Sequence, residues 1–159
     1  MVKKSNGKDK PTRDIISANR KGRYEYEILD TFEAGIMLLG SEVKSLRHGK
    51  ANIAEGYAAV DGDEVFIHGM NIPEYKWANK QNHMPKRPRK LLLHRSEINK
   101  IMGKVQEKGL TLVPLALFFN PKGLVKLEIG IGKGKKLHDK RETIKKREQM
   151  RDKQRGYQD

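Results

Sequence analysis

The chain contains no cysteine, which excludes a disulfide scaffold, a Cys-ligated zinc site and thiolate catalysis. Hydrophobic residues make up only 36% of its 159 residues, too few for a core that runs the whole length. No apolar run approaches the ~18–20 residues that a membrane helix needs. Met1–Lys8 also lacks the apolar stretch of a secretory signal. Acidic groups are scarce too, 20 against 34 lysines and arginines, leaving a formal charge of +14. A soluble, cytoplasmic chain with a polyanionic partner and no membrane is the expectation.

The charge is unevenly spread. Residues 1–18 hold five basic and two acidic groups, and residues 133–159 hold eleven and five, with almost no apolar side chains in either end. Residues 19–132 carry the apolar positions and are long enough for one core. This divides the chain into a disordered basic arm (1–18), one folded domain (19–132) and a basic tail (133–159). Within the domain, Lys76, Lys80, Lys86, Arg87, Arg89 and Lys90 form a run without an acid, and Pro85 and Pro88 break regular structure there. That run reads as an extended basic loop.

The apolar pattern is mostly that of strands. Tyr24–Ile28 alternates with period two. Tyr57–Val60 and Glu64–Ile67 flank Asp61-Gly62-Asp63, and Thr111–Phe119 and Leu124–Ile131 flank Asn120-Pro121-Lys122-Gly123, so two hairpins are predicted. Ser41 can cap a short helix over Glu42–Arg47 that buries Val43 and Leu46. Ile98, Ile101, Met102 and Val105 predict a second helix, from about Ser96 to Lys108, with Gly109 as its stop. About six short strands joined by hairpins must cover their edges, and closure does so. A mainly β fold is expected: a closed antiparallel barrel of the oligonucleotide-binding (OB) type, with two or three short helices. A β-sandwich is the alternative.

Catalytic chemistry is not visible. The five histidines have no metal-ligand spacing. Gly130–Lys136 lacks the glycine spacing and the Ser/Thr of a phosphate loop, and no serine sits in a nucleophile motif. The sequence argues against an enzyme and implies no cofactor and no metal.

Five segments carry a resemblance: Asn19–Arg23; Phe32-Glu33-Ala34-Gly35; Gly40–Asn52; Arg89-Lys90-Leu91-Leu92-Leu93; and Lys133–Arg141. In this order and spacing, from about Asn19 to Arg151, the chain resembles the small protein B (SmpB) family, the bacterial partners of transfer-messenger RNA. Tyr24 stands where that family often has His, and Gly156–Asp159 lacks its basic ending. The resemblance implies an OB-type barrel that binds the tRNA-like domain of transfer-messenger RNA. It implies delivery of that RNA to stalled ribosomes for trans-translation, with the protein standing in for the anticodon arm. The tail would enter the vacant mRNA channel at the small-subunit decoding centre. Alanyl-tRNA synthetase and elongation factor Tu would be met through the RNA, and a monomer is expected. A generic single-stranded RNA-binding or ribosomal OB-fold protein is the competing reading.

Individual residues take roles within that frame. In an extended Arg89–Leu93, alternation puts Leu91 and Leu93 on one face and Leu92 on the other. Leu92 then meets an unstacked base or ribose, unless the strand is buried on both sides. Glu33 is an acid on a phosphate binder, so it either accepts from base amino groups or holds an Arg. Asn19 could bond base edges or phosphates. Lys21, Arg23, Lys44, Arg47, Arg89 and Lys90 would neutralise phosphates, although for Lys44 and Arg47 the sequence alone favours a solvated helix face. Tyr24 and Tyr26 share a face on which they stack on bases or pack into the core. Gly132 and Gly134 would let RNA approach the backbone, with Lys133, Lys135, Lys136, Lys140 and Arg141 supplying charge. His138 would stack or donate to a phosphate, or simply be solvated. The tail from Lys140 to Gln154 is expected to be disordered when free and helical on the ribosome, with Asp139 as its cap.

Overall fold

The computed structural model, which describes residues 13–78, 82–107, 109–135 and 137–156, is mainly β, with seven antiparallel strands and four helices. The two predicted hairpins are present. β3 (Tyr57–Asp61) turns into β4 (Glu64–His68) through Gly62, whose φ of 61° suits a residue without Cβ. β6 (Leu110–Phe119) returns as β7 (Val125–Gly134), with Asn120 Oδ1 accepting from the N–H groups of Lys122 and Leu124.

The remaining strands join these hairpins into a ring. β2 (Tyr26–Ile36) pairs with β7 along nearly its whole length, and β5 (Arg89–Leu92) lies between β2 and β4. The ring closes where Ala58 of β3 pairs with Leu112 of β6, giving the circular order β6-β3-β4-β5-β2-β7. All six ring strands contribute to one buried cluster. It includes Phe32, Ala34, Val65, Ile67, Leu91, Leu112, Leu127, Ile129 and Ile131, with Leu46 and Ile101 added by helices.

The seventh strand corrects the boundary of the N-terminal arm. Asp14–Ala18, assigned by composition to a disordered segment, is β1. It pairs with Ala116–Phe119, the part of the β6 edge that β3 leaves open. An unpaired edge beside Phe118 and Leu117 would leave backbone donors and acceptors bare, and Ile15 and Ile16 supply the apolar partners.

The strand expected to begin at Tyr24 begins instead at Tyr26, because Arg20–Glu25 is a short helix, α1. Asn19 caps it, its Oδ1 accepting from the Gly22 N–H at 2.9 Å, and this local bond outweighs the alternation. Tyr24 and Tyr26 therefore do not share a strand face. Gly22 sits so close to β6 that a Cβ would come within 2.8 Å of Val113 Cγ1.

α2 (Gly40–Arg47) and α3 (Arg95–Val105) stand near their predicted positions. Each carries a glutamate that reaches back to the chain entering the helix: Glu42 Oε1 accepts from the Leu39 N–H at 2.9 Å, and Glu97 Oε1 from that of His94 at 3.0 Å. Leu46 is buried as expected, and Val43 is half-buried. α4 (Leu137–Gly156) starts two residues before Asp139 and touches the body through α1. Its described side chains, Arg141 and Ile144–Lys153, are exposed. Lys133 and Gly134 belong to β7 rather than to the tail.

Candidate nucleic-acid interface

β5 places one apolar side chain outward. Leu91 is 2% exposed and Leu92 49%, and Leu93 packs half-buried against the core, as alternation requires. Across the strand pair Leu92 faces Gly35, where a Cβ would approach the Leu92 Cβ to 3.3 Å. The glycine thus leaves one side of the leucine open. The surrounding groove, about 510 Å³, is lined by Glu33, Lys90, Leu92, His94 and Lys126 among others. Three side chains chosen from sequence, Glu33, Lys90 and Leu92, meet here. Lys126 and His94 escaped sequence reasoning. Lys126 faces outward on alternating β7, but only the ring register, Gly35 opposite Lys126, brings it to Leu92.

Glu33 has a local task. Its cross-strand partner is another carboxylate, Glu128, and like charges directly opposite repel. Two arginines relieve the conflict. Arg13 bonds Glu128 and lies 3.7 Å from Glu33, while Arg23 Nη2 donates to Glu128 Oε1 at 2.9 Å. Arg13 also lies 4.4 Å above the Phe118 ring. Arg23 remains half-exposed, so it can still meet a phosphate. Lys21 is exposed and lies 4.0 Å from Glu25.

Arg89 corrects the expectation of a phosphate contact. It is 0% exposed, because the alternation that buries Leu91 also turns Arg89 inward. There its Nε donates to Glu42, Nη1 to Met70 O at 2.8 Å and Nη2 to Pro85 O at 3.0 Å. Arg87, from the same basic run, also donates to Glu42. Burial alone would raise the Glu42 carboxyl, but the hydrogen bonds from Arg87, the Leu39 backbone and Arg89 hold it below 4.5. Burial lowers the Arg89 pKa, opposed by Glu42, and the guanidinium stays charged. Part of the expected extended basic loop is therefore a buried ion-pair cluster. His83 anchors it further: Ile72 O can only accept, so Nε2 donates to it at 2.8 Å and Nδ1 accepts from Ser41 Oγ at 2.9 Å.

Asn19 is corrected as well. It is 4% exposed, and Nδ2 donates to Pro114 O at 2.8 Å while Oδ1 caps α1. Its amide stitches α1 to the β6 bulge at Pro114 and is not presented to RNA. Gly132 is buried, and a Cβ there would lie 3.0 Å from that of Tyr26, so strand packing explains it. Tyr24 is half-buried in α1. Lys44 and Arg47 are exposed on α2 and do not line the Leu92 groove. In the basic segment, Lys133 is exposed at the end of β7 and Arg141 on α4, and the Lys135 N–H donates to Glu25 O at 2.9 Å. Lys136 and Lys80 lie outside the described residues, as do the side chains of His138 and Lys140. Among the described residues, no group of three His, Asp or Glu could hold a metal, and no helix is long and apolar enough to cross a membrane.

The model of the SmpB protein family matches residues 16–159. An SsrA-binding protein from Methylobacterium sp. (strain 4-46) is 56% identical over 149 residues, covering 94% of this chain and 95% of the relative. Another, from Rhodopseudomonas palustris (strain TIE-1), is 57% identical over 139 residues, covering 87% and 88%. A solved chain described as "tmRNA-SmpB: a journey to the center of the bacterial ribosome" has a TM-score of 0.63 and 46% identity, covering 76% of this chain and 84% of its own. The segments that build the Leu92 groove, Phe32–Gly35 and Arg89–Leu93, are two of the five that carry the sequence resemblance, and with a match reaching from residue 16 to residue 159 the chain belongs to the SmpB family.

Proposed function

We propose that the chain binds the tRNA-like domain of transfer-messenger RNA and delivers it to stalled ribosomes for trans-translation. The observation that carries this reading is Leu92, an exposed leucine in a chain whose relatives are named SsrA-binding proteins. In its groove Lys90, paired with Glu64 at 2.7 Å, Lys126 and His94 stand among Glu33, Asp63 and Glu97. The apolar side chain offers a face to a ribose or unstacked base, and the cations meet the flanking phosphates. The ring is read as an OB-type barrel, which suits this use because closure holds the groove strands rigid. Lys21 and Arg23, exposed at α1, extend the phosphate contacts, while Glu33 positions Arg13 and Glu128 holds Arg23.

The tail acts in the ribosome. α4 has no apolar stripe that could hold it to the body, so its cations are available to the phosphates around the empty mRNA channel. On the ribosome the tail is helical, with Lys133, Lys135, Lys136, His138, Lys140 and Arg141 near the decoding centre. The protein replaces the anticodon arm, works in the cytoplasm as a monomer, catalyses nothing itself, and meets alanyl-tRNA synthetase and elongation factor Tu through the RNA.

Sequencing the RNA that co-purifies with the chain tests this reading. One dominant tRNA-like species, lost in Leu92→Asp, is expected. A broad RNA mixture would instead identify a generic single-strand binder.

A further inference from the structure

A second aromatic and basic surface lies on residues that take no part in the Leu92 groove. Ser45 Oγ of α2 donates to Pro73 O at 2.7 Å and so draws the segment after β4 against the helix. Tyr75 is fixed next to it. Its N–H donates to Asn82 Oδ1 at 3.2 Å, Asn82 Nδ2 donates to its carbonyl at 2.9 Å, and its ring stacks on His48 with centroids 5.7 Å apart. Lys44 Nζ lies 5.8 Å from the same ring. Two residues on, Trp77 is 71% exposed, with Lys76 Nζ 5.5 Å from its centroid.

An indole left this bare at the surface costs hydration unless something covers it. The groove beside it holds about 190 Å³ and is lined by Lys50, Lys76, His48, Tyr75 and Trp77, with Glu74 as its acid. Lys44 and Arg47 stand on the adjoining end of α2. Flat aromatic faces interleaved with cations are how sequence-tolerant sites hold single-stranded nucleic acid. An acidic peptide would match the charge but has no use for a flat ring. A lipid surface would call for several apolar side chains beside the tryptophan.

We propose that the Trp77 groove is a second RNA site, which takes an unpaired nucleotide with its base stacked on Trp77 and its phosphates against Lys44, Lys50 and Lys76. The site rests on the reading of the chain as an RNA binder, but not on the Leu92 groove. It also gives Lys44 a place, since it does not line the Leu92 groove.

Trp77 is the chain's single tryptophan, so its fluorescence reports this groove directly. A short oligouridine should quench it in the full chain, and equally in Leu92→Asp. The double variant Lys44→Glu/Lys76→Glu, which keeps the tryptophan, should weaken oligouridine binding about tenfold. A transfer-messenger RNA fragment comprising the tRNA-like domain should bind the parent chain, and Leu92→Asp should weaken that binding while leaving the oligouridine quench intact. Three results overturn the proposal: unchanged emission at saturating oligouridine, loss of the quench in Leu92→Asp, or quenching by polyglutamate or phosphatidylserine vesicles in place of RNA. Failure of the tRNA-like fragment to bind while oligouridine still quenches would overturn the transfer-messenger RNA reading and leave the Trp77 site standing.

Discussion

Residues 86–92 and helix α4 are both rich in lysine and arginine, yet the fold treats them in opposite ways. In the first, Arg87 and Arg89 converge on Glu42, and Arg89 is sealed from solvent between α2, Met70 and Pro85. In α4, the described cations all face water. Identical chemistry thus serves stability in one place and remains open to a polyanion in the other. The difference lies in the neighbours. A buried acid and two backbone carbonyls await Arg89, whereas α4 lacks the apolar stripe that would press its charges onto anything. Net charge therefore overstates the number of groups available for phosphate.

Removing the open region should have the largest functional effect with the smallest structural one. Truncation after Lys136 is expected to abolish tagging on stalled ribosomes while preserving the thermal midpoint and binding of transfer-messenger RNA. Normal tagging by the truncated chain would show that α4 is only a solubilising appendage. In the closed region, Arg89→Met leaves the buried Glu42 with Arg87 alone as charged partner and its Oε2 unbonded, and should destabilise the fold by ~3–5 kcal/mol. Adding Glu42→Gln should recover much of that loss, and the four urea midpoints of this cycle check it. The substitution Leu92→Asp belongs to neither extreme. It should weaken RNA binding by ~1–3 kcal/mol while moving stability by no more than ~0.5 kcal/mol. A large fall in its thermal midpoint would mean that Leu92 serves the core.

Acid should also distinguish the two regions. Because the folded-state pKa of Glu42 lies below its unfolded value of 4.5, its contribution is complete above about pH 4.5 and is lost as the pH falls through the lower folded value. Stability measured between pH 6 and pH 3 should therefore decline at the acid end, and less steeply in Glu42→Gln. The smallest expected effect is that of Arg23→Ala. Its salt bridge to Glu128 is half-exposed and contributes little to stability, but the slope of log affinity against log salt should fall by roughly one unit if it meets one phosphate. An unchanged slope would remove Arg23 from the interface.

Alternation read correctly is what made Leu92 legible, since a period of two needs only Leu91 in the core to put Leu92 outside. The same rule also carried Arg89 inward, two residues before Leu91. Its cationic character masked that signal, because a buried arginine is rare until a partner acid is known. Glu42 supplied the partner from 47 residues away, on α2. Asn19 was misassigned for a related reason. An asparagine before Arg20-Lys21-Gly22 reads equally as a helix cap or a surface amide, and only the neighbouring carbonyl of Pro114 settles it. Trp77 was passed over because it sits in no periodic pattern.

Composition and local pattern by themselves determined that the fold is mainly β, where both hairpins turn, that α2 and α3 exist, and that Leu91 and Leu92 point to opposite faces. Each of these follows from turn chemistry or from a period of two or 3.6, which are properties of short segments. Tertiary structure alone decided that the ring closes at Ala58–Leu112, that β1 covers the open part of β6, that Glu33 faces Glu128, and that Arg89 lies inside. These depend on which distant segments become neighbours, and a charged side chain is worth burying only where such a neighbour supplies its counter-charge.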